Sequence, residues 1–255
     1  MPRPRAASSN IAAPLRWRRS SPVRISVIIP CLNEAEPIGD VVREVLEQGV
    51  AEVIVVDNGS TDATAAVARA AGARVVSAPV PGYGRACAAG VAAATMPILC
   101  FLDGDGSDVA SFIPALVGPI IAGEADFVMG SRLRGVREPG SLTPQQMLAA
   151  RLAGLLLRQT YGVAFTDMSP MRAIRADTLA RLGMAERTYG WNLEMQMRAA
   201  AGGLRCREIA VDHRCRRGGE SKVSGNLTAG MKAAWKISTT FLRLAAGLRR
   251  QRAAV

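Results

Sequence analysis

Short runs of unbroken apolar residues alternate along the chain with stretches whose apolar positions recur every three or four residues. Arg24–Pro30 (RISVIIP), Glu52–Asp57 (EVIVVD), Arg74–Ser77 and Ile98–Leu102 are rich in β-branched and apolar residues, the pattern of strands buried on both faces. Between the first two, Ile38, Val41, Val42, Val45 and Leu46 fall at helical spacing, with Pro37 near the first turn. Ala-rich helices are predicted over Ala63–Ala71 and near Ala86–Ala94. Further on, the pattern predicts helices near Ser111–Ala122, Gln145–Thr160 and Asn192–Ala201. It predicts strands at Asp126–Gly130, around Met171–Ile174 and at Leu204–Val211. The Arg-, Gly- and Pro-rich stretch SRLRGVREPGSLTP (131–144) is expected to be a mobile, functional loop. This β-α alternation predicts an α/β fold, a mainly parallel twisted sheet with helices on both faces, in a single domain over 23–225. An amphipathic helix follows at 226–255, with Leu227, Met231, Ala234, Trp235, Phe241, Leu242 and Leu248 on its apolar positions.

Composition narrows the class. With 255 residues and 49% hydrophobic content the chain can bury a sizeable core. Five cysteines without a CxxC pair point to reduced thiols and a cytoplasmic protein. The net charge of +11 is unevenly spread. Residues 1–24 hold six arginines and no acid, and residues 214–255 hold ten Lys/Arg against Glu220 alone. Basic ends on a slightly acidic body suit an anionic surface, either nucleic acid or the cytoplasmic face of a membrane. Three Trp, three Tyr and five Phe, not interleaved with basic residues, argue against a single-strand nucleic-acid surface. The longest uncharged run, Ala86–Leu102, has 17 residues broken by Pro97, so no membrane span is predicted. Residues 1–22 lack the apolar core of a secretory signal and are expected to be a disordered basic tail.

The candidate chemistry lies where strands end. Ile98–Leu102 stops on Asp103-Gly104-Asp105, two carboxylates suited to a hard divalent cation, Mg²⁺ or Mn²⁺. A solvated Asp-Gly turn is the plainer reading. An EF-hand loop is excluded, because Asp108 stands where its glycine should be and Pro114 where its glutamate should be. Asp57 ends the second strand before NGSTD, in which Ser60, Thr61 or Asp62 could simply cap the next helix. Asn33 and Glu34, in PCLNE, could cap the first helix, yet both stand on the same rim as Asp57 and the carboxylate pair. PGYGR (81–85) offers backbone N–H groups and Arg85 at a helix start, a possible phosphate cradle through Gly84.

PCLNE, VVDNGSTD, GYGR, LDGDGS and GSR, in that order, resemble the signature of family-2 glycosyltransferases of the GT-A fold. TDMSPMRAIR (166–175), YGWNLEMQ (189–196) and RRGGESKVSG (216–225) resemble one branch, the polyprenyl-phosphate (dolichol-phosphate mannose or glucose) synthases. The resemblance covers about residues 23–240. It implies that Pro30, Asn33, Glu34 and Asp57 line the base and ribose of a UDP- or GDP-sugar. Asp103 would face ribose or sugar and share the cation with Asp105, the principal ligand. Arg132, Arg216, Ser221 and Lys222 would hold donor or acceptor phosphates. The sequence departs from the pattern at Ser107, where the mannose synthases commonly carry a glutamine ligand, and at Ser169, where relatives often have glycine.

The resemblance therefore implies an inverting, metal-dependent hexosyltransferase acting on a polyprenyl phosphate, peripheral on the cytoplasmic membrane face. A second reading has a soluble or glycan hydroxyl as acceptor, deprotonated by Glu194 or Asp167. A nucleotidyltransferase and a basic nucleic-acid-binding protein are the remaining alternatives, the latter from another class. His213, the lone histidine, reads as structural.

Overall fold

A computed structural model of the chain describes residues 23–218, 235 and 238–248. The basic tail expected over 1–22, and Ser221 and Lys222, lie outside the described residues. Seven strands form one sheet in the order β3-β2-β1-β4-β6-β5-β7. They are β1 (Val23–Cys31), β2 (Val50–Asp57), β3 (Arg74–Ser77), β4 (Ile98–Phe101), β5 (Phe127–Ser131), β6 (Arg172–Arg175) and β7 (Cys206–Ala210). The helices are α1 (Ile38–Leu46), α2 (Thr64–Ala70), α3 (Tyr83–Ala93), α4 (Ile113–Ile121), α5 (Pro144–Tyr161), α6 (Ala176–Leu182) and α7 (Trp191–Ala201). A further helix is described over 238–248.

The expected parallel sheet holds for β1 with β2 and β4, β2 with β3, and β5 with β7. Only β6 runs antiparallel, between β4 and β5. Successive strand residues face opposite sides. Ile25, Val27 and Ile29 join the core under α1, α2 and α4, while Ile28 joins the core under α3, α5, α6 and α7. Helix α6 was not legible in the sequence, because seven residues give an amphipathic pattern less than two turns to show itself.

One expectation changes. The stretch 131–144 is hydrogen-bonded along the segment after β7 rather than loose: Val136 N–H reaches Asp212 Oδ1 at 2.9 Å, His213 N–H reaches Val136 O at 2.9 Å, and Glu138 N–H reaches His213 O at 3.0 Å. A Cβ at Gly135 would stand 2.0 Å from Val211 O, so only glycine permits that approach. Much of the helix expected over 226–255 lies outside the described residues, and its described part makes contacts of two kinds. Phe241 and Ala245 are buried against the sheet's second core, whereas Trp235 and Leu242 are 74% and 67% exposed.

Strand order reverses between β1 and β4, since β2 and β3 lie on one side and β4 on the other. In open α/β sheets a crevice opens at that point, outside the strands' carboxyl ends. The residues singled out at strand ends therefore converge there.

Candidate active site

The β1–α1 and β2–α2 turns are stapled side by side. Cys31 pairs with Asp57 in register. Asn33, in the left-handed region at φ 58°, donates its N–H to Ser60 Oγ at 3.0 Å and accepts from Thr61 N–H at 2.8 Å. Glu34 N–H donates to Thr64 Oγ1 at 2.8 Å, and Ala35 N–H to Asp62 Oδ2 at 3.1 Å. Asp57 Oδ1 accepts from Ser60 N–H at 2.9 Å. Helix capping accounts for Asp62, whose Oδ1 accepts from Thr64 N–H at 3.0 Å at the start of α2, but α1 begins after Pro37 without a side-chain cap. These polar residues fix one turn to the other, on the rim where Pro30, Asn33, Glu34 and Asp57 stand.

Next to it stands the carboxylate pair. Asp105 is 3% exposed; its Oδ1 accepts from Ser107 N–H at 2.9 Å and Ser107 Oγ at 2.6 Å. Ser107, in place of the glutamine, thus orients Asp105. The glycines between are required: a Cβ at Gly104 would lie 2.4 Å from Cys31 Sγ, and Gly106 has φ +77°. Asp103 Oδ1 accepts from Tyr83 OH at 3.1 Å, and Asp103 N–H donates to Asp108 Oδ2 at 2.9 Å. Burial, reinforced by the neighbouring Asp105, pushes the Asp103 carboxyl up to about 6.

That shift has a measurable consequence. Between pH 3.8, the ordinary value, and about 6 the folded protein holds a proton on Asp103 that the unfolded chain has released. Stability of the metal-free protein therefore falls as pH rises through that window. Asp103→Asn removes this part of the slope and raises metal-free stability at pH 7 by on the order of 2 kcal/mol. Urea unfolding in EDTA from pH 4 to 7, wild type against variant, checks it, and parallel curves refute it.

Cations approach from two sides. Arg216 Nε sits 2.9 Å from Asp105 Oδ2. Arg132 forks onto Asp167, with Nε to Oδ2 at 2.8 Å and Nη2 to Oδ1 at 2.9 Å. Burial would raise the Asp167 carboxyl, but the Arg132 charge and hydrogen bonds hold it below the usual range. Arg172 is fully buried and donates to the carbonyls of Ser169, Pro170 and Asn192, without a carboxylate partner among the described residues. Burial lowers it to about 10.

Several expectations are revised by the geometry. Three of the four N–H groups of PGYGR are already engaged and not free to cradle a phosphate. Gly84 N–H donates to Thr188 O at 3.1 Å, Arg85 N–H to Arg187 O at 3.1 Å, and Gly82 N–H to Asn58 Oδ1 at 2.8 Å. Arg85 itself is exposed and folds back on Pro81 O at 2.9 Å. Glu194 is buried and occupied, accepting from Ala185 N–H at 3.1 Å, Glu186 N–H at 2.7 Å and Arg198 Nε at 2.7 Å.

His213 joins the rim. Its Nδ1 lies 3.8 Å from Asp108 Oδ1, and both atoms are buried without a hydrogen-bond partner. Burial, then Arg132, holds the imidazole down to about 4, and burial with Asp103 drives Asp108 well above the carboxylate range. No role was read for Tyr83 and Arg172, which lie inside quoted motifs, or for Asp108 and His213, which lie outside them; only pairing and register bring the four to the site.

The donor set fits a divalent cation. Asp103 and Asp105 present hard oxygens, and a guanidinium already occupies the outer oxygen of Asp105. Among the described residues no group of three or more His, Cys, Asp or Glu side chains could hold a metal alone. Phosphate oxygens and water would have to complete the shell, as is usual for Mg²⁺ with nucleotides.

A seven-stranded α/β sheet with paired carboxylates at the switch point and arginines across the crevice is the architecture of GT-A-like glycosyltransferases. The chain belongs to glycosyl transferase family 2, whose family model matches residues 26–183. It is 40% identical over 222 residues to an uncharacterized glycosyltransferase of Mycobacterium tuberculosis, covering 84% of this chain and 97% of that one. It is 33% identical over 203 residues to a dolichyl-phosphate hexose transferase of Haloferax volcanii, covering 78% and 86%. Among solved structures, glucosyl-3-phosphoglycerate synthase of M. tuberculosis with Mn²⁺, UDP and glucosyl-3-phosphoglycerate matches with TM-score 0.70 and 28% identity, over 87% of this chain and 80% of that one. The same enzyme has been solved with Mg²⁺ and UDP. The chain is thus a glycosyltransferase, with relatives on both lipid-phosphate and phosphoglycerate acceptors.

Proposed function

We propose that this glycosyltransferase moves a hexose from a UDP- or GDP-sugar to a polyprenyl phosphate, with inversion. The observation carrying the acceptor assignment is that both carboxylates a hydroxyl acceptor would need as base are occupied. Glu194 is spent on two backbone N–H groups and Arg198, and Asp167 on Arg132. A phosphate monoester is already largely ionised near pH 7 and needs no base. The dolichyl-phosphate hexose transferase relative supports the same class.

The wall of Pro30, Asn33, Glu34 and Asp57 would take the base and ribose. Asp103 and Asp105 would hold Mg²⁺ or Mn²⁺, which supplies charge neutralisation to the diphosphate when bound. An acceptor phosphate oxygen attacks the anomeric carbon opposite the departing group. The bond from that carbon to the diphosphate oxygen breaks, and its electron pair leaves with the nucleoside diphosphate. Arg216 is placed to stabilise that growing charge, and Arg132 to hold the second phosphate. Glu194, locked from three directions, keeps the 185–188 turn against the start of α3.

Membrane contact accords with this reading. Trp235 and Leu242 stand exposed seven residues apart, and α5 exposes Leu148, Leu152 and Leu155 at helical spacing. No helix among the described residues is long and apolar enough to cross a membrane, so contact would be interfacial, helped by basic residues on anionic lipid.

The test is nucleotide release from a panel of UDP- and GDP-sugars with Mn²⁺, with and without polyprenyl phosphate, and with 3-phosphoglycerate as competing acceptor. Lipid-stimulated release is expected. Turnover on phosphoglycerate or another hydroxyl acceptor, with none on lipid phosphate, would overturn the assignment.

A further inference from the structure

The segment after β7 carries three arginines in four residues, and they do not act alike. Arg214 and Arg217 turn away from the crevice onto the outer side of α1. Arg214 Nη1 lies 3.1 Å from both carboxylate oxygens of Glu44, and Arg217 Nη2 lies 2.9 Å from Glu44 Oε1. Arg217 Nη1 is also 3.8 Å from Asp40 Oδ2. Arg216, between them, points the other way, to Asp105. The backbone is pegged as well: Arg214 N–H donates to Ser107 O at 2.9 Å and Arg217 N–H to Asp105 O at 3.0 Å.

We infer that Glu44, supported by Asp40, is a positioning residue for sugar transfer: it anchors an arginine strap across the rim and so delivers Arg216 to the diphosphate. The inference rests on the proposed function for its consequence, though not for the anchoring. Three guanidiniums this close repel one another, and any of them could take the place beside Asp105. By engaging two, Glu44 leaves one cation for the site and decides which. The anchor is rigid, because the opposite face of α1 puts Ile38, Val41, Val42 and Val45 into the core. Glu44 belongs to none of the recognised motifs, and 170 residues separate it from Arg214.

A partly exposed ion pair adds little to folding, so Glu44→Gln should fold normally and its effects can be read in function. The whole chain carries three measurements. Limited trypsinolysis after Arg214, Arg216 and Arg217 reports the anchoring, and should become several-fold faster in Glu44→Gln. Steady-state transfer reports the consequence: kcat should fall by about 10- to 100-fold, the cost of a misplaced catalytic contact. UDP or GDP should bind more weakly, while UMP or GMP, lacking the second phosphate, should bind as to wild type. A merely structural residue would move all nucleotides together. On an Arg214→Gln/Arg217→Gln background, Glu44→Gln should add nothing further.

Unchanged strap cleavage overturns the anchoring, whatever the enzyme acts on. Faster cleavage with unchanged kcat overturns the positioning role alone. Wild-type enzyme that turns over no nucleotide sugar overturns the proposed function, and the positioning role with it.

Discussion

Asp105→Asn is expected to lower sugar transfer by about three orders of magnitude, the loss that follows removal of a principal electrostatic contact to a leaving group. Asp105 is the point at which the site's charges meet. One oxygen is oriented by Ser107 and the other faces Arg216 at the edge of the crevice. Asparagine retains an oxygen for the Ser107 N–H and hydroxyl, so the turn should survive. It removes the negative charge on which a divalent cation and Arg216 both depend. The fold should change little, because asparagine keeps the oxygen that Ser107 donates to and the Arg216 side chain, 38% exposed, stays in contact with water. The measurement is nucleotide release with Mn²⁺, together with the rise in Tm that Mn²⁺ and nucleoside diphosphate produce. Both should vanish in the variant while its ligand-free Tm stays near that of wild type. Turnover within tenfold of wild type would place the metal elsewhere.

Asp167→Ala should have the opposite profile, with a large cost in stability. The Asp167 side chain is 0% exposed. It accepts from Arg132 Nε and Nη2, from Arg132 N–H at 2.9 Å and from Met168 N–H at 2.7 Å. Removing it strands a guanidinium that is 16% exposed and leaves two backbone donors without their partner. Breaking a buried pair from one side costs about 3–5 kcal/mol. For a chain of this size that is a fall in Tm of roughly 6–20 °C. Transfer should fall as well, since Arg132 loses its support across the crevice. Thermal unfolding and kcat across pH decide between this and the base role. A variant of wild-type Tm with little activity, whose residual rate has lost the acidic limb set by a base that must be deprotonated, would make Asp167 the base for a hydroxyl acceptor.

Strands and most helices could be read from the chain because both faces of the sheet are covered. Ile28, Ile54 and Leu99 must be as apolar as their neighbours on the other face, so each strand stands out as an unbroken run. The motif residues of the rim were legible for a related reason: a parallel sheet ends its strands together, so a polar residue closing an apolar run belongs at the crevice. Asp57, Asp103 and Asp105 were found that way. The direction of β6 was not, because pairing direction leaves no local trace.

What the sequence by itself determined is the α/β class, the position of the carboxylate pair and the family. The first two depend on local pattern, which follows from backbone periodicity and burial, and the family rests on the resemblance of the ordered motifs. What only the tertiary structure decided is how each polar group is spent. Arg132, Glu194 and the amides of Gly84 and Arg85 look available in the sequence, yet each is committed to a partner: Asp167, Arg198 with two backbone amides, and the 187–188 carbonyls. His213 reads as structural in isolation, yet lies beside Asp108. Hydrogen bonds and ion pairs join residues as distant as Glu44 and Arg214. Their pairing is set by where the packed elements cross, and no spacing along the chain encodes that crossing.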